Sequence, residues 1–250
     1  MEDIKTMLSV QDFVEAKHRS SVLSAVFGLD FAVKHALSHA LCMWAVERHA
    51  FFNSCVDLES FIRASYHDLA EPNYTPGGLP VNSIPFFAWG TFTLDAYTFQ
   101  AHSASWWYLL DMVAPDPSRI IPSTLFIPYA STSAVRSDNA VKGFERTPLW
   151  FICHDGSLGV PVDVEDDRPF LWHGEKDFRR SDGTWRKTTK IKISWPGYDD
   201  GWEKQIRLES DTGDRSIGRL AGLVAHKVCD FIRNHDPNVK YLLGTSFYSA

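Results

Sequence analysis

The apolar residues at the start of the chain recur at the three- and four-residue spacing of amphipathic helices. They form three patterns, at residues 9–28, 30–52 and 57–71. Gly28 and Pro72 stand where the first and the third pattern end, as expected for residues that terminate helices. We therefore predict three helices in the first third of the chain.

Four prolines and two adjacent glycines lie within residues 72–85. Because proline and glycine propagate neither a helix nor a central strand, this segment is predicted to be a connector. It separates a helical region, residues 1–71, from a body at residues 86–250. The two regions form either two domains or one continuous domain.

Aromatic and β-branched residues with period-two alternation are frequent in the body. Residues 86–100 favour a strand. Residues 185–195 and 202–209 alternate apolar with polar side chains, which predicts two strands joined as a hairpin. The dipeptide Asp155-Gly156 between two apolar runs predicts a second hairpin.

Two further helices are predicted in the body. Residues 103–113 follow a short helical pattern, with Trp106 and Leu109 facing inward. After a candidate N-cap at Ser216, apolar residues continue at helical spacing to Ile232. The fold class is therefore predicted to be α+β, with a helical N-terminal third, a mainly antiparallel sheet and a closing amphipathic C-terminal helix.

Composition narrows the class of protein. The 250 residues carry a formal net charge of -6, which gives no general attraction to nucleic acid or to an anionic membrane. The first residues do not follow the pattern of a secretory signal, and charged residues interrupt the longest apolar region, residues 21–52. The four cysteines are far apart and form no C-x-x-C pair, as is typical of reduced thiols. We expect a cytoplasmic or nuclear protein without a membrane partner.

Histidine and cysteine recur at helical spacing in the second predicted helix. The stripe consists of His35, His39, Cys42 and His49. Its members lie on one side of an ideal helix, and imidazole and thiolate ligands at such spacing suit zinc. The metal hypothesis makes the chain a metal-assisted hydrolase or lyase. The central glutamate of H-E-x-x-H is absent, so a metalloprotease is not indicated.

The alternative interpretation of this helix is structural and needs no cofactor. The opposite side carries Val33, Leu37, Leu41 and Trp44, which are predicted to face the core. A helix that is apolar on nearly all sides buries its histidines against other elements or against a second subunit. This interpretation is favoured, and it predicts self-association or a protein partner at the N-terminal helices.

Seven basic residues fall within residues 176–192, close to several tryptophans. The anion-binding candidates among them are Arg186, Lys187, Lys190 and Lys192. Cations with interleaved aromatic side chains can hold phosphate groups or single-stranded nucleic acid. Strand alternation also explains these residues as a solvated face, on which lysine discourages edge pairing. A nucleic-acid partner is therefore not the favoured interpretation.

Cys153 and His154 suggest a thiol nucleophile beside a base. Adjacent residues of a strand point to opposite faces, and the following Asp155-Gly156 forms a turn. Catalytic residues are therefore left unassigned.

Three segments resemble uncharacterised proteins of mushroom-forming (basidiomycete) fungi. They are RTPLW at residues 146–150, HDGSLGVP at 154–161 and KIKISWPGY at 190–198. The similarity continues through Trp202, Gln205 and the final helix, and it leaves the helical N-terminal region outside. The resemblance implies a fungal origin, and it attaches no activity, ligand or residue role.

The chain shows no catalytic motif at a recognisable spacing and is rich in aromatic residues, at 14%. These two features favour an intracellular, non-enzymatic binding or interaction protein that forms homo-oligomers. Two alternatives stay open. One is the metal enzyme that uses the histidine stripe, and the other is anion or nucleic-acid binding through the basic strand.

Overall fold

The computed structural model describes residues 2–50, 57–66, 79–89, 98–102, 105–123, 132–142, 148–162, 170–178, 187–195 and 198–235. The chain forms two compact units, Met1–Pro148 and Leu149–Ala250. Each unit combines helices with an antiparallel sheet, which confirms the predicted α+β class. Within these ranges, none of the helices has both the length and the hydropathy that crossing a membrane requires.

Four helices open the first unit. They are α1 (Glu2–His18), α2 (Val22–Phe27), α3 (Leu29–Ala50) and α4 (Leu58–Ser65). The helix predicted at residues 30–52 is confirmed by α3, whereas the single helix predicted at residues 9–28 is wrong. Ser21 is extended, and its hydroxyl accepts a hydrogen bond from the Ser24 amide at 3.1 Å. The serine therefore caps a new helix where the sequence pattern continues unbroken.

The start of α4 is predicted correctly and its end is not. Asp57 caps the helix, because its carboxylate accepts a hydrogen bond from a backbone amide of the first turn. The helix ends at Ser65, and residues 67–71 of the predicted helix lie outside the described residues. The next residue, Tyr66, is extended and forms an antiparallel bridge with Phe86, so pairing with the sheet ends the helix.

A three-stranded antiparallel sheet follows the helices. Its strands are β1 (Ser83–Trp89), β2 (Thr98–His102) and β3 (Ser105–Met112), in the order β1-β3-β2. The helix predicted at residues 103–113 is therefore wrong. Residues 108–112 are all buried, because both faces of this central strand are covered. The run is therefore mostly apolar and does not alternate. A short apolar run has no periodicity that separates such a strand from a helix.

The strand β1 begins inside the segment that was predicted to be a connector. It pairs with β3 through a register shift between Ile84 and Pro85. Proline is compatible with this position because β1 is an edge strand and the irregularity frees the residue from regular pairing. Residues 72–78 of the predicted connector lie outside the described residues. The compact units divide after Pro148, so β1 belongs with the helices that precede it.

The core of the first unit lies between the helices and the sheet. Its buried residues are Val10, Val14, Val33, Ala36, Ala40, Met43, Phe61, Ile62, Tyr66, Ile84, Phe86, Ala88, Tyr108 and Leu110. Small side chains dominate the contribution of α3, since Ala32, Ala36 and Ala40 recur every fourth residue and are fully or almost fully buried. The predicted core face of this helix is partly wrong. Val33 is buried, whereas Leu41 is 48% exposed.

Three polar side chains form a hydrogen-bonded chain through this core. At the end of α1, Nδ1 of His18 lies 3.1 Å from Oδ2 of Asp111, and Nε2 lies 3.1 Å from the hydroxyl of Tyr66. A carboxylate oxygen accepts hydrogen bonds, so Nδ1 is the donor and Nε2 is left to accept from the hydroxyl. Burial raises the pKa of Tyr66, and the charge of Asp111 raises it further, so the hydroxyl keeps the proton that it donates.

Asp111 also binds the backbone. Its Oδ1 accepts hydrogen bonds from the amide of Leu23, in the first turn of α2, at 3.2 Å and from the amide of Met112 at 2.8 Å. The side chains of His18 and Asp111 have no exposed surface. One buried carboxylate on β3 therefore holds the end of α1 and the start of α2, which are 93 and 88 residues away in sequence.

The second unit contains a hairpin and the closing helix. The elements are β4 (Thr188–Trp195), β5 (Tyr198–Arg207) and α6 (Ile217–His235). The strands pair antiparallel, with Ile193 opposite Trp202, and this pairing confirms the predicted hairpin. Ser216 caps α6 by accepting a hydrogen bond from the Arg219 amide at 3.2 Å, as predicted. Ile206, Leu208 and Leu220 form the buried centre of the unit.

The Asp155-Gly156 turn also forms as predicted. Oδ1 of Asp155 accepts a hydrogen bond from the Ser157 amide at 2.9 Å, and an antiparallel bridge pairs Ile152 with Leu158. Between these residues the pairing is a single bridge and not the two strands that the sequence predicts.

The start of α6 lies against a backbone turn. The amides of Ile217 and Gly218 donate hydrogen bonds to the carbonyl groups of Lys176 and Gly174, each at 2.8 Å. The first amides of a helix have no acceptor within the helix, so this turn satisfies two of them. A Cβ atom at Gly218 would lie 3.2 Å from the Gly174 oxygen.

The substitution Asp111→Ala is expected to destabilise the first unit strongly. It leaves His18 and two backbone amides without their acceptor, and each buried donor left unsatisfied costs about 1–3 kcal/mol. The free energy of unfolding, measured in urea by circular dichroism, gives the loss. The control is Asp30→Ala, which removes an exposed ion pair with Lys34 and is expected to cost less than about 1 kcal/mol. Equal losses would contradict the central role of Asp111.

The substitution Gly218→Ala is expected to lower the free energy of unfolding by about 1 kcal/mol, although alanine favours helices over glycine by a similar amount. The new methyl group meets the Gly174 carbonyl, which must move and weaken its hydrogen bond. The matched control is Gly222→Ala on the same helix, which is expected to be neutral or stabilising. Urea unfolding of both variants checks this, and two stabilising substitutions would show that the close approach carries no cost.

Candidate functional site

The helix α3 presents two different flanks beside its buried face. His35 and His39 lie on one flank, and Leu37 and Trp44 lie on the other, all of them half-buried. Residues of an α-helix are about 100° apart around the axis, so the two predicted stripes are opposite each other. The core contacts the face between them, where the alanines and Met43 lie. Both stripes are therefore at the margin of the core.

Four rings follow one another along the histidine flank. The rings of Phe31 and His35 are parallel, with centroids 6.4 Å apart, and the rings of His35 and His39 are also 6.4 Å apart. The edge contact of His39 with Tyr108, at 5.9 Å, continues the row onto β3. The four-residue spacing on the helix places each ring over the next. We call His35 and His39 the imidazole pair.

The environment of His39 favours its neutral form. Burial first, and then the nearby His35, lower the pKa of His39 to about 4. The Nε2 atom of His39 is buried and has no hydrogen-bond partner in the described part of the chain. An uncharged imidazole with an unsatisfied nitrogen is thus held between the helix and the sheet.

The four predicted metal ligands are not all brought together. His35 and His39 are neighbours, whereas Cys42 lies at an exposed position of the same helix. The backbone of His49 belongs to α3, but its side chain lies outside the described residues. Among the described side chains, His, Cys, Asp and Glu form no group of three or more that could hold a metal.

The other flank of α3 is apolar and partly open. Leu37 and Trp44 pack against the margin of the core, and Leu41 between them is 48% exposed. We call Leu37, Leu41 and Trp44 the outer stripe. Their spacing of four and three residues is that of helices that pack against another helix.

The basic candidates lie mainly on the solvated face of the hairpin. Lys190 and Lys192 are exposed on β4, and Lys187 is exposed just before it. Arg186 lies outside the described residues. Lys190 forms an ion pair with Glu203 of β5 and donates a hydrogen bond to its carboxylate. This hydrogen bond is the main reason that the pKa of Glu203 is lowered. Part of the positive charge is therefore neutralised within the hairpin.

The side chains of Cys153 and His154 contact different parts of the chain. The Cys153 thiol donates to the carbonyl of Gly159 at 3.3 Å. The ring of His154 is exposed and stacks on Phe170, with centroids 3.9 Å apart. The two side chains thus have separate partners, as the sequence argument about opposite directions expects.

The sequence analysis missed the chain of His18, Tyr66 and Asp111. One signal was present, because Asp111 is the only charged residue in the apolar run at residues 105–114. A charge inside a buried strand needs partners. Sequence order does not identify them, because they lie on separate elements far from the strand.

Comparisons of this chain with protein-family models, with curated proteins and with solved structures found no match.

His39 is expected to lower the free energy of unfolding of the first unit at acidic pH. The unfolded chain binds a proton at His39 below about pH 6.5, whereas the folded chain does so only near pH 4. The free energy of unfolding therefore falls as the pH falls from 6.5 to 4, by about 3 kcal/mol from this residue.

The test compares urea unfolding at pH 7.5 and pH 5 in buffer that contains a chelator. His39→Phe keeps a ring against Tyr108 and is expected to lose part of the acid destabilisation. His226→Gln is the control, since the side chain of His226 is 68% exposed. An unchanged pH dependence in His39→Phe would contradict the assignment.

Proposed function

We propose that this chain is an intracellular, non-enzymatic interaction protein that binds a second copy of itself through the outer stripe of α3. The observation that carries the proposal is the 48% exposure of Leu41 between two side chains that pack on the core. A single exposed leucine is ordinary on a protein surface. Here the leucine continues an apolar surface at helix-packing spacing, on the longest helix of the unit.

A second copy of the chain fits this surface because a helix stripe with this spacing is self-complementary. Two α3 helices that cross at Leu41 would each place this side chain between Leu37 and Trp44 of the other, as knobs fit into holes. Such an arrangement has two-fold symmetry, which is the commonest symmetry of soluble oligomers. The proposal therefore needs no further partner.

The cytoplasm is the proposed compartment. The cysteines whose side chains are described carry thiols and form no disulfide among themselves, which suits a reducing environment.

The two other functions have less support. For anion binding, the exposed lysines share the hairpin face with Glu203, which already pairs with Lys190. For metal-assisted hydrolysis, two of the four predicted ligands are neighbours among the described side chains, and a catalytic zinc needs three protein ligands. Self-association needs only surface that is already present on α3.

The substitution Leu41→Glu is expected to weaken self-association at least about 100-fold, because it places an unpaired charge at the centre of the contact. Size-exclusion chromatography with light scattering, from nanomolar to high micromolar protein, measures the change. The control is Val135→Glu, which introduces the same charge at an apolar position of the helix α5 (Ala134–Lys142) that is 72% exposed.

A wild-type chain that stays monomeric over this concentration range would overturn the proposal. So would equal dissociation of the two glutamate variants, since the effect would then come from net charge and not from the outer stripe.

A further inference from the structure

The unsatisfied nitrogen of His39 is the starting point. Buried polar atoms in folded proteins nearly always have a hydrogen-bond partner, and those without one call for an explanation such as a bound water or ion. Nε2 of His39 is buried without a partner in the described part of the chain, while the ring is fixed against Tyr108. A ligand from outside the chain would satisfy this atom.

The second ring of the imidazole pair indicates what kind of ligand this is. His35 lies one turn before His39, and the ring centroids are 6.4 Å apart, so the half-buried His35 ring must rotate toward His39 for both nitrogens to reach one ion at zinc–nitrogen distances of about 2.0–2.1 Å. Two histidines four residues apart on a helix are spaced to share one metal ion, as in helical zinc motifs. Imidazole nitrogen suits zinc, copper and nickel, whereas magnesium and calcium require oxygen ligands.

We infer that His35 and His39 bind one transition-metal ion of the zinc class on the flank of α3. The chain supplies two imidazole ligands, and water completes the coordination. The site lies across the helix from the outer stripe, so it goes beyond the proposed self-association and does not depend on it. An ion held in this way clamps two successive turns of α3 beside the sheet, and it stabilises the folded chain.

The experiment uses the full chain, purified without a histidine tag and freed of metal by a chelator. Zinc is titrated while the thermal midpoint is recorded, and cobalt is titrated while visible absorption reports its coordination. Zinc at about 100 times its dissociation constant is expected to raise the midpoint by about 5–10 °C. Cobalt is expected to bind at one equivalent per chain.

Two variants test the ligands. His35→Gln and His39→Phe are each expected to weaken zinc binding at least about 10-fold, because each removes one of two ligands. His226→Gln, at a histidine that is 68% exposed on α6, is expected to bind zinc as the wild type does. Urea unfolding in metal-free buffer shows whether each variant is folded. If His39→Phe does not fold, His35→Gln alone decides.

The inference is overturned if zinc does not raise the midpoint of the wild type. It is also overturned if His35→Gln keeps the wild-type affinity, or if His226→Gln loses it. Light scattering with and without zinc tests self-association through the outer stripe separately. If zinc does not bind, self-association is still expected, and a monomeric chain is still expected to bind zinc.

Discussion

The first unit depends on the burial of one carboxylate. Asp111 lies in the central strand with no exposed surface, and an ionised carboxylate without partners would be very costly there. Its oxygens accept hydrogen bonds from His18 and from the amides of Leu23 and Met112. Because these partners come from the end of α1 and the start of α2, packing the sheet also sets where both helices meet it. Tyr66 extends the same constraint to the end of α4 through its bond to His18.

The helix α3 packs against α1, α2, α4 and β1, so the positions of these elements decide which face of α3 is covered. The neighbours cover the face of Ala32, Ala36 and Ala40, since alanine allows close approach. Val33 and Met43 are buried with them, and the other larger side chains of the helix lie at the margins. Histidines lie at one margin and Leu37 and Trp44 at the other, so the helix offers ligand nitrogen on one flank and apolar surface on the other. The two proposed roles of α3 arise from this division.

Local signals predicted the elements in which one pattern and one cap agree. The closing helix α6 has helical spacing and a serine cap, and the hairpin of β4 and β5 alternates with period two along both strands. The prediction failed at β3, where a central strand covered on both faces is apolar over most of its length and resembles a buried helix. It failed again at Ser21, where one cap divides a continuous apolar pattern into two helices.

The sequence by itself determined the α+β class, the long helix α3 and the presence of histidines at a spacing that two imidazoles can share. These features are local, because helical and strand periods and caps involve residues close together in the chain. Only the tertiary structure decided which side of α3 is buried, that Leu41 is exposed and that Nε2 of His39 has no hydrogen-bond partner among the described residues. It alone joined His18, Tyr66 and Asp111, because contacts across 48 and 93 residues depend on how separate elements pack. No period in the sequence encodes such contacts.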